Sequence, residues 1–550
     1  MPAHVQSRFQ QALASHKAGQ LAQARLLYED IIKQHPGHAD AHHFLGVIAH
    51  QSNDHARAVE LIGKAIALFP DNPAAYLNRG LAFHALKHFE PAIASYDKAI
   101  ALKPDFTEAI VGLGDAQLEL RRFAAAVGGY DRAISLNPGL VTVHFNRGLA
   151  LFGLGQFSKA AASYASAIAL KPDLAEAHFN RGNALKELRQ LDEALKSYSR
   201  VLELQPDNIE AKRNIFWLHF VQMKDAPLIE RLSADISAWQ VKVEIEKLTA
   251  LKTMADFRVL HDLEQTDHLL ALGYEFEGLR EANSRLKQIY ARCGAQGHGE
   301  DSKPVTLGAD EIVDITRFRK NAPRYHMSGA IAHCLNPNND WAAIEERYFA
   351  SEPEIIHFDD FLSSEALTEL RKFCLISTAW KLEFKNQYLG MLAEGGFVSP
   401  LHLGIAKELR QKMPRIFGDQ RLEQLWAFKY TSTLGSGINV HADYARVNLN
   451  FWVTPDAANL DPDSGGLIVY DVPAPLSWGF EEYNNNDSQS IYRFLKESGA
   501  GRRKIAYKCN RAVLFNSRLF HETDAIRFKD GYENRRINVT YLFGQGLGVR

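Results

Sequence analysis

Only four cysteines stand in 550 residues, Cys293, Cys334, Cys374 and Cys509, and no two are spaced as C-x-x-C. That argues against a disulfide framework or a cysteine zinc site and fits a reducing compartment. No apolar run of 18 residues occurs, and the opening MPAHVQSRFQQ lacks an apolar signal core. Neither a membrane span nor a secretory leader is expected. Neither sign of charge is in excess, since 63 Lys plus Arg against 65 Asp plus Glu leave −2. Bulk binding to nucleic acid or to an anionic membrane is therefore not expected. P-loop, G-x-S-x-G and H-E-x-x-H motifs are all missing. The terminal GQGLGV has no helix after it to bind phosphate. His326 and His333 are set aside as surface or packing histidines, and His42-His43 is expected on an exposed helix face. What remains is ordinary globular composition, 46% hydrophobic and 23% charged. The length predicts roughly two to four domains, and the expected location is cytoplasmic.

The first 206 residues keep a beat. Proline recurs at Pro36, Pro70, Pro104, Pro138, Pro172 and Pro206, always 34 residues apart. Alanine keeps step at Ala24, Ala58, Ala92, Ala126, Ala160 and Ala194, and glycine at Gly46, Gly80, Gly114, Gly148 and Gly182. Tyrosine follows most of those alanines by four, at Tyr28, Tyr96, Tyr130, Tyr164 and Tyr198. Small residues let paired helices approach, the aromatic fills the gap beside them, and proline stops the second helix. The pattern resembles the 34-residue helix-turn-helix of tetratricopeptide repeats (TPR). It implies an all-α TPR solenoid of six repeats over 5–206. Two residues before the glycine slot stand Asn78, Asn146 and Asn180, with Asn214 in the same phase beyond. Asparagine both donates and accepts, so it can grip any peptide unit. The ladder resembles that of TPR proteins that hold an extended peptide in the concave groove. Phe44 and Gly112 interrupt it, and the other reading is that the asparagines satisfy neighbouring helices.

From 207 to 295 the apolar period stays helical while the beat ends, which predicts capping and docking helices. The Gly-, Ser- and Asp-rich stretch that follows predicts a linker over 296–351. From 352 to 550 the language is β. Short runs such as WAFKYTS, GINVHADY, RVNLNFWVT, GGLIVYDV and RAVLFNS alternate with turns, as in a sandwich or barrel.

One of those runs carries polar residues where a strand would be apolar. In NVHADY, His441 and Asp443 are two apart, so on a strand they share a face. His521 lies just past another strand. Two imidazoles and one carboxylate form a facial triad that leaves three octahedral positions open, which suits non-haem Fe(II) oxygen chemistry. Arg535 and Arg536 begin the last strand, and a guanidinium is the usual partner for a carboxylate deep in a barrel.

Tyr430 lies eleven residues before His441, Gly465-Gly466 precedes a strand, and NRAVLFNSRLFHET ends near His521. Together these resemble the iron(II)- and 2-oxoglutarate-dependent dioxygenases, most closely the prolyl 4-hydroxylase-type branch. The resemblance implies a double-stranded β-helix (jelly-roll, cupin-like) with flanking helices. It implies Fe(II) on His441, Asp443 and His521, and 2-oxoglutarate held by Arg536 with Tyr430, Asn448 and Asn538 near it. Asn450 is a further candidate. Arg536 and Asn538 share a face of the last strand and Arg535 points away; which arginine holds the acid stays open. O2 is the second cosubstrate and ascorbate an accessory reductant. Prolyl 4-hydroxylases use lysine where this chain has arginine, which puts proline as the target in doubt. The insert from Asp471 to Arg503, with Trp478, Phe480 and Tyr483, is expected to act as a substrate lid. The expected activity is hydroxylation of a protein or peptide captured by the TPR groove. Two alternatives stand beside it: hydroxylation of a small molecule with the repeats recruiting a partner protein, and a non-catalytic TPR scaffold.

Overall fold

The computed structural model describes residues 3–293, 304–322, 325, 331–384, 387–430, 433–434, 437–484 and 488–545. The first residues of the expected linker (296–303), His326 and the tail beyond Gln545 lie outside the described residues. The chain divides into two compact units, Met1–Ala211 and Lys212–Arg550. Among the described residues, no helix is long and apolar enough to cross a membrane.

In the first unit, helices from Ala3–Lys17 to Leu191–Leu204 pair in sequence order, two per repeat. First helices of successive repeats also touch one another, as Pro73–Ala85 does Thr107–Glu119. The 34-residue beat has a steric cause. A Cβ placed on Gly80, Gly148 or Gly182 would lie 2.5, 2.5 or 2.7 Å from the ring of Tyr96, Tyr164 or Tyr198. Each tyrosine is buried against the glycine of its own repeat. Gly148→Ala is thus expected to force the Tyr164 ring aside and cost about 1–3 kcal/mol. Urea unfolding followed by far-UV circular dichroism reads that loss. The proline turns are closed by a second device, since His42, His144 and His178 bond through Nε2 to the carbonyls of Pro36, Pro138 and Pro172 (2.9, 2.9 and 3.0 Å). His42 and His43 are therefore buried rather than exposed, the second through a 2.9 Å contact with Asn78 Nδ2.

In the second unit, β1 (Thr253–Met254) pairs with β2 (Val305–Thr306). The remaining strands are β3 (Ile355–Phe358), β4 (Leu382–Phe384), β5 (Tyr388–Leu392), β6 (Leu422–Tyr430), β7 (Thr433–Leu434), β8 (Val447–Trp452), β9 (Leu467–Pro473), β10 (Arg502–Ile505), β11 (Ala512–Asn516), β12 (Leu519–Thr523), β13 (Ile526–Arg527) and β14 (Ile537–Phe543). They form a seven-stranded sheet in the order β3-β11-β8-β14-β6-β5-β4, a three-stranded sheet β10-β9-β12 and the pair β13-β7. All the pairings are antiparallel. One apolar cluster draws on both larger sheets: Tyr430, Trp452 and Phe515 from the first, Leu467, Val469 and Leu519 from the second. The other face of the large sheet is covered by helices; Tyr541 Oη donates to the carbonyl of His402, in helix Pro400–Lys412 (3.2 Å).

The helices after residue 211, expected to cap the repeats and dock the next domain, group with the β unit. Long-range polar bonds hold them there: Arg258 Nη1 donates to Trp380 O (2.7 Å) and Gln265 Nε2 to Ser377 O (3.0 Å). The stretch 296–351 is also more than a linker. It contains helices Ala309–Asn321 and Trp341–Ala350, the latter wedging Trp341 against Phe358 of β3.

Candidate active site

The segment 437–444 is not a strand. Its one ladder contact is an isolated bridge in which His441 and His521 exchange both backbone hydrogen bonds (3.0 and 2.8 Å). The next two amides bond elsewhere, Ala442 N–H to Tyr483 O (3.1 Å) and Asp443 N–H to Ser517 O (3.0 Å). Three separate parts of the chain thus fix this short polar run. Strand alternation is not what brings His441 and Asp443 together.

They do converge. Ligand atoms of His441, Asp443 and His521 all lie within 4.8 Å of one another. Nε2 of His521 is 3.3 Å from one Asp443 oxygen and Nε2 of His441 is 3.8 Å from the other. Adjacent ligands on one octahedral face are about 3 Å apart for bonds of about 2.1 Å, so small adjustments suffice. Each imidazole presents Nδ1 to a carbonyl, His441 to Asn439 O (2.8 Å) and His521 to Leu519 O (3.0 Å). A carbonyl only accepts, so Nδ1 carries the proton and Nε2 keeps its lone pair for a metal. Burial pushes His441 down to about 4, with His521 adding to the shift, so it stays neutral near pH 7. Burial alone would raise the Asp443 carboxyl, but its contact with His521 and the Asn448 amide that donates to it hold it below its ordinary range. The set offers one carboxylate and two imidazole nitrogens, donors suited to a divalent cation.

Arg535 and Arg536, just before β14, turn opposite ways. Arg535 leaves the sheet for Glu264 (2.5 Å). Arg536 is 1% exposed. Its Nε donates to Gly465 O (2.6 Å), Nη2 to Gly466 O (3.1 Å) and Nη1 to Asn538 Oδ1 (3.4 Å). The Gly-Gly turn is needed because a Cβ on Gly466 would sit 1.9 Å from Ile505 O. Arg536 stacks over Tyr430 and Trp452, 4.7 and 5.7 Å from the ring centroids. Among the described residues no carboxylate pairs with it, and the buried Tyr430 hydroxyl and Trp452 Nε1 have no aligned hydrogen-bond partner. A buried cation beside two unsatisfied donors fits a carboxylate.

Asn448, Asn450 and Asn538 lie on the face that Arg536 shares, on the central strands β8 and β14. Asn448 Nδ2 donates to Asp443 Oδ2 (2.7 Å). Sequence reading passed over Thr540 and Trp452. The signal for Thr540 was present: N-x-N on one strand and R-x-N-x-T on its neighbour put polar residues at every second position.

The insert before β10 packs on this site. Trp478, Phe494 and Phe520 form a ring cluster with centroids 5.1–6.1 Å apart. Helix Ser488–Glu497 buries Ile491 and Leu495. Asn484 Nδ2 reaches Ala442 O (3.4 Å), between His441 and Asp443. The side chain of Phe480 lies outside the described residues. A cavity of about 630 Å³ in the same unit, lined by Ser237, Arg319, Lys381 and Phe373 among others, includes none of the triad.

The asparagine ladder of the repeats is partly committed. Asn78 contacts His43 and Asn146 Nδ2 donates to Asp115 (2.9 Å), while Asn180 bonds to no described side chain. Asn214 has partners of its own.

Family models of the tetratricopeptide repeat match residues 9–73, 73–106 and 175–208, and a TPR repeat model matches 150–189. No curated protein matches the chain. Three of the similar solved structures illustrate the likeness. YrrB, described as a TPR protein with an unusual peptide-binding site, is 21% identical over 34% of this chain and 96% of its own (TM-score 0.32). MamA is 25% identical over 31% and 94% (TM-score 0.30). PilF of Pseudomonas aeruginosa is 21% identical over 38% and 95% (TM-score 0.34). By the matched models and the 34-residue helix pairs, the N-terminal unit of this chain is an array of tetratricopeptide repeats.

Proposed function

We propose that the second unit is an Fe(II)- and 2-oxoglutarate-dependent dioxygenase with a double-stranded β-helix core, and that the repeats recruit a protein or peptide that it hydroxylates. The observation that carries this reading is the pairing of two features in one β core. One is a His-x-Asp and distal His set whose Nδ1 atoms are held by carbonyls and whose Nε2 atoms both turn toward Asp443. The other is a buried arginine among unsatisfied donors. When bound, iron and 2-oxoglutarate would supply an O2-driven oxidation that yields succinate, CO2 and a hydroxylated C–H bond. The chain's own part is positioning. His441, Asp443 and His521 would hold the metal by one face. Arg536, with Tyr430 and Trp452, would take the distal carboxylate of the acid. The insert pinned at Ala442 would exclude water. The test is succinate release from 2-oxoglutarate by the purified chain with Fe(II), ascorbate and O2, with and without host extract. Turnover that extract stimulates supports the reading; no turnover together with no metal-dependent binding of 2-oxoglutarate sinks it and leaves a TPR scaffold.

A second reading, a small-molecule hydroxylase whose repeats recruit a partner protein, is favoured by one observation: Asn78 and Asn146 already have partners inside the array. Asn180 separates the two. Asn180→Ala is expected to raise KM for a peptide substrate about 5–10-fold, the worth of a hydrogen bond or two. An unchanged KM would favour the small-molecule reading.

A further inference from the structure

Between Asp443 and Arg536 runs an unbroken chain of buried amides. Arg536 Nη1 donates to Asn538 Oδ1 (3.4 Å), Asn538 Nδ2 to Asn450 Oδ1 (3.2 Å), Asn450 Nδ2 to Asn448 Oδ1 (3.2 Å) and Asn448 Nδ2 to Asp443 Oδ2 (2.7 Å). Thr540 Oγ1 braces the middle, donating to Asn450 Oδ1 (3.1 Å) and accepting from Asn538 Nδ2 (3.4 Å). All four are buried on the central strands of the large sheet, where an apolar face would be the ordinary solution.

The direction of every bond is forced by the two ends. A guanidinium only donates, so Asn538 must turn its oxygen toward Arg536. A carboxylate only accepts, so Asn448 must turn its nitrogen toward Asp443. The amides between then have one consistent orientation, with each N–H aimed toward Asp443. Dipoles aligned this way polarise one another in a low dielectric.

We propose that Asn448, Asn450 and Asn538 are positioning residues: a one-way amide relay that carries the Arg536 charge to Asp443 and fixes the carboxylate plane for the metal. This rests on the metal reading of the triad. It makes the two halves of the site a single unit, so that a change one or two links away from Asp443 alters the metal.

The experiment is Mn²⁺ titration of the full chain followed by electron paramagnetic resonance of the free ion, with no acid present. Asn450→Leu cuts the relay at its centre and touches neither Asp443 nor Arg536. It is expected to raise the Mn²⁺ Kd about 10-fold, the lower end of what lost outer partners cost a metal site. Asn538→Val, a β-compatible change one link further away, is expected to raise it by a smaller factor and carries the test if the first variant does not fold. Amides that only satisfy one another would lower stability yet leave the Kd of the folded variants at the wild-type value, and that result overturns the relay. If the wild type binds no Mn²⁺, or Asp443→Asn binds it equally well, the metal reading itself fails and the relay with it.

Discussion

Asp443→Ala is expected to abolish metal-dependent binding of 2-oxoglutarate and to lower succinate release by more than about 100-fold. Losing an outer partner of a metal site typically costs about 10–100-fold, and Asp443 would be the only charged ligand. The two imidazoles cannot compensate, because their backbone bridge already holds them 4.3 Å apart, centroid to centroid. The substitution also strands Asn448 Nδ2, which donates to Asp443. Asp443→Asn separates the two effects: it keeps the shape and removes the charge. Equal loss in both variants assigns the effect to the charge. Wild-type turnover in either variant would remove Asp443 from the site. Thermal unfolding of each variant shows whether the fold persists.

Asp262→Ala is expected to destabilise the second unit by about 3–5 kcal/mol, the usual cost of stripping one partner from a buried ion pair. Asp262 is 1% exposed and lies between two guanidinium groups, 2.8 Å from the buried Arg258 and 3.0 Å from the partly buried Arg319. His261 adds a hydrogen bond (3.1 Å), and burial holds that imidazole well below its ordinary range, hence neutral. Without Asp262 the buried Arg258 keeps its charge with the more distant Glu383 (3.9 Å), and Arg319 loses its carboxylate partner. That loss is a large share of the roughly 5–15 kcal/mol that holds a typical domain. The pH dependence has a definite sign. Burial would raise the Asp262 carboxyl, but Arg258 and Arg319 outweigh it and hold the folded value well below the unfolded one. Its contribution is therefore complete above the unfolded value of about 4 and is lost as pH falls below it. The gap between wild type and variant should shrink in acid. All seven tryptophans lie at Trp217 or beyond, so tryptophan fluorescence in urea reads this unit without interference from the repeats. A midpoint shift below that of an exposed ion pair, about 1 kcal/mol or less, would refute the argument.

The repeats were legible because their information is local. Gly148 meets Tyr164 within one helix pair, so a period in the sequence is a period in the packing. His42 and His43 escaped that reading because their partners, a turn carbonyl and the next repeat, are invisible to a helical face count. In the second unit the residue types of the triad and the opposite facing of Arg535 and Arg536 could be read from spacing. The path of the chain could not. His441 and Asp443 look like strand neighbours, but their amides bond to His521 and Ser517, some 75 residues on.

The sequence by itself determined the repeat register and the opposite facing of Arg535 and Arg536, because each depends on neighbours a few residues or one repeat away; that Arg536 is the one turned toward the Gly-Gly turn and Asn538 is seen only in the structure. Only the tertiary structure decided that Asn448, Asn450, Asn538 and Thr540 join Arg536 to Asp443, and that the helices after Ala211 belong with the sheet. The reason is register. β8 meets β14 across some 90 residues of chain, and pairing Asn450 with Thr540 is set by the packing of both sheet faces. A shift of one residue would turn every amide of the relay to the opposite face.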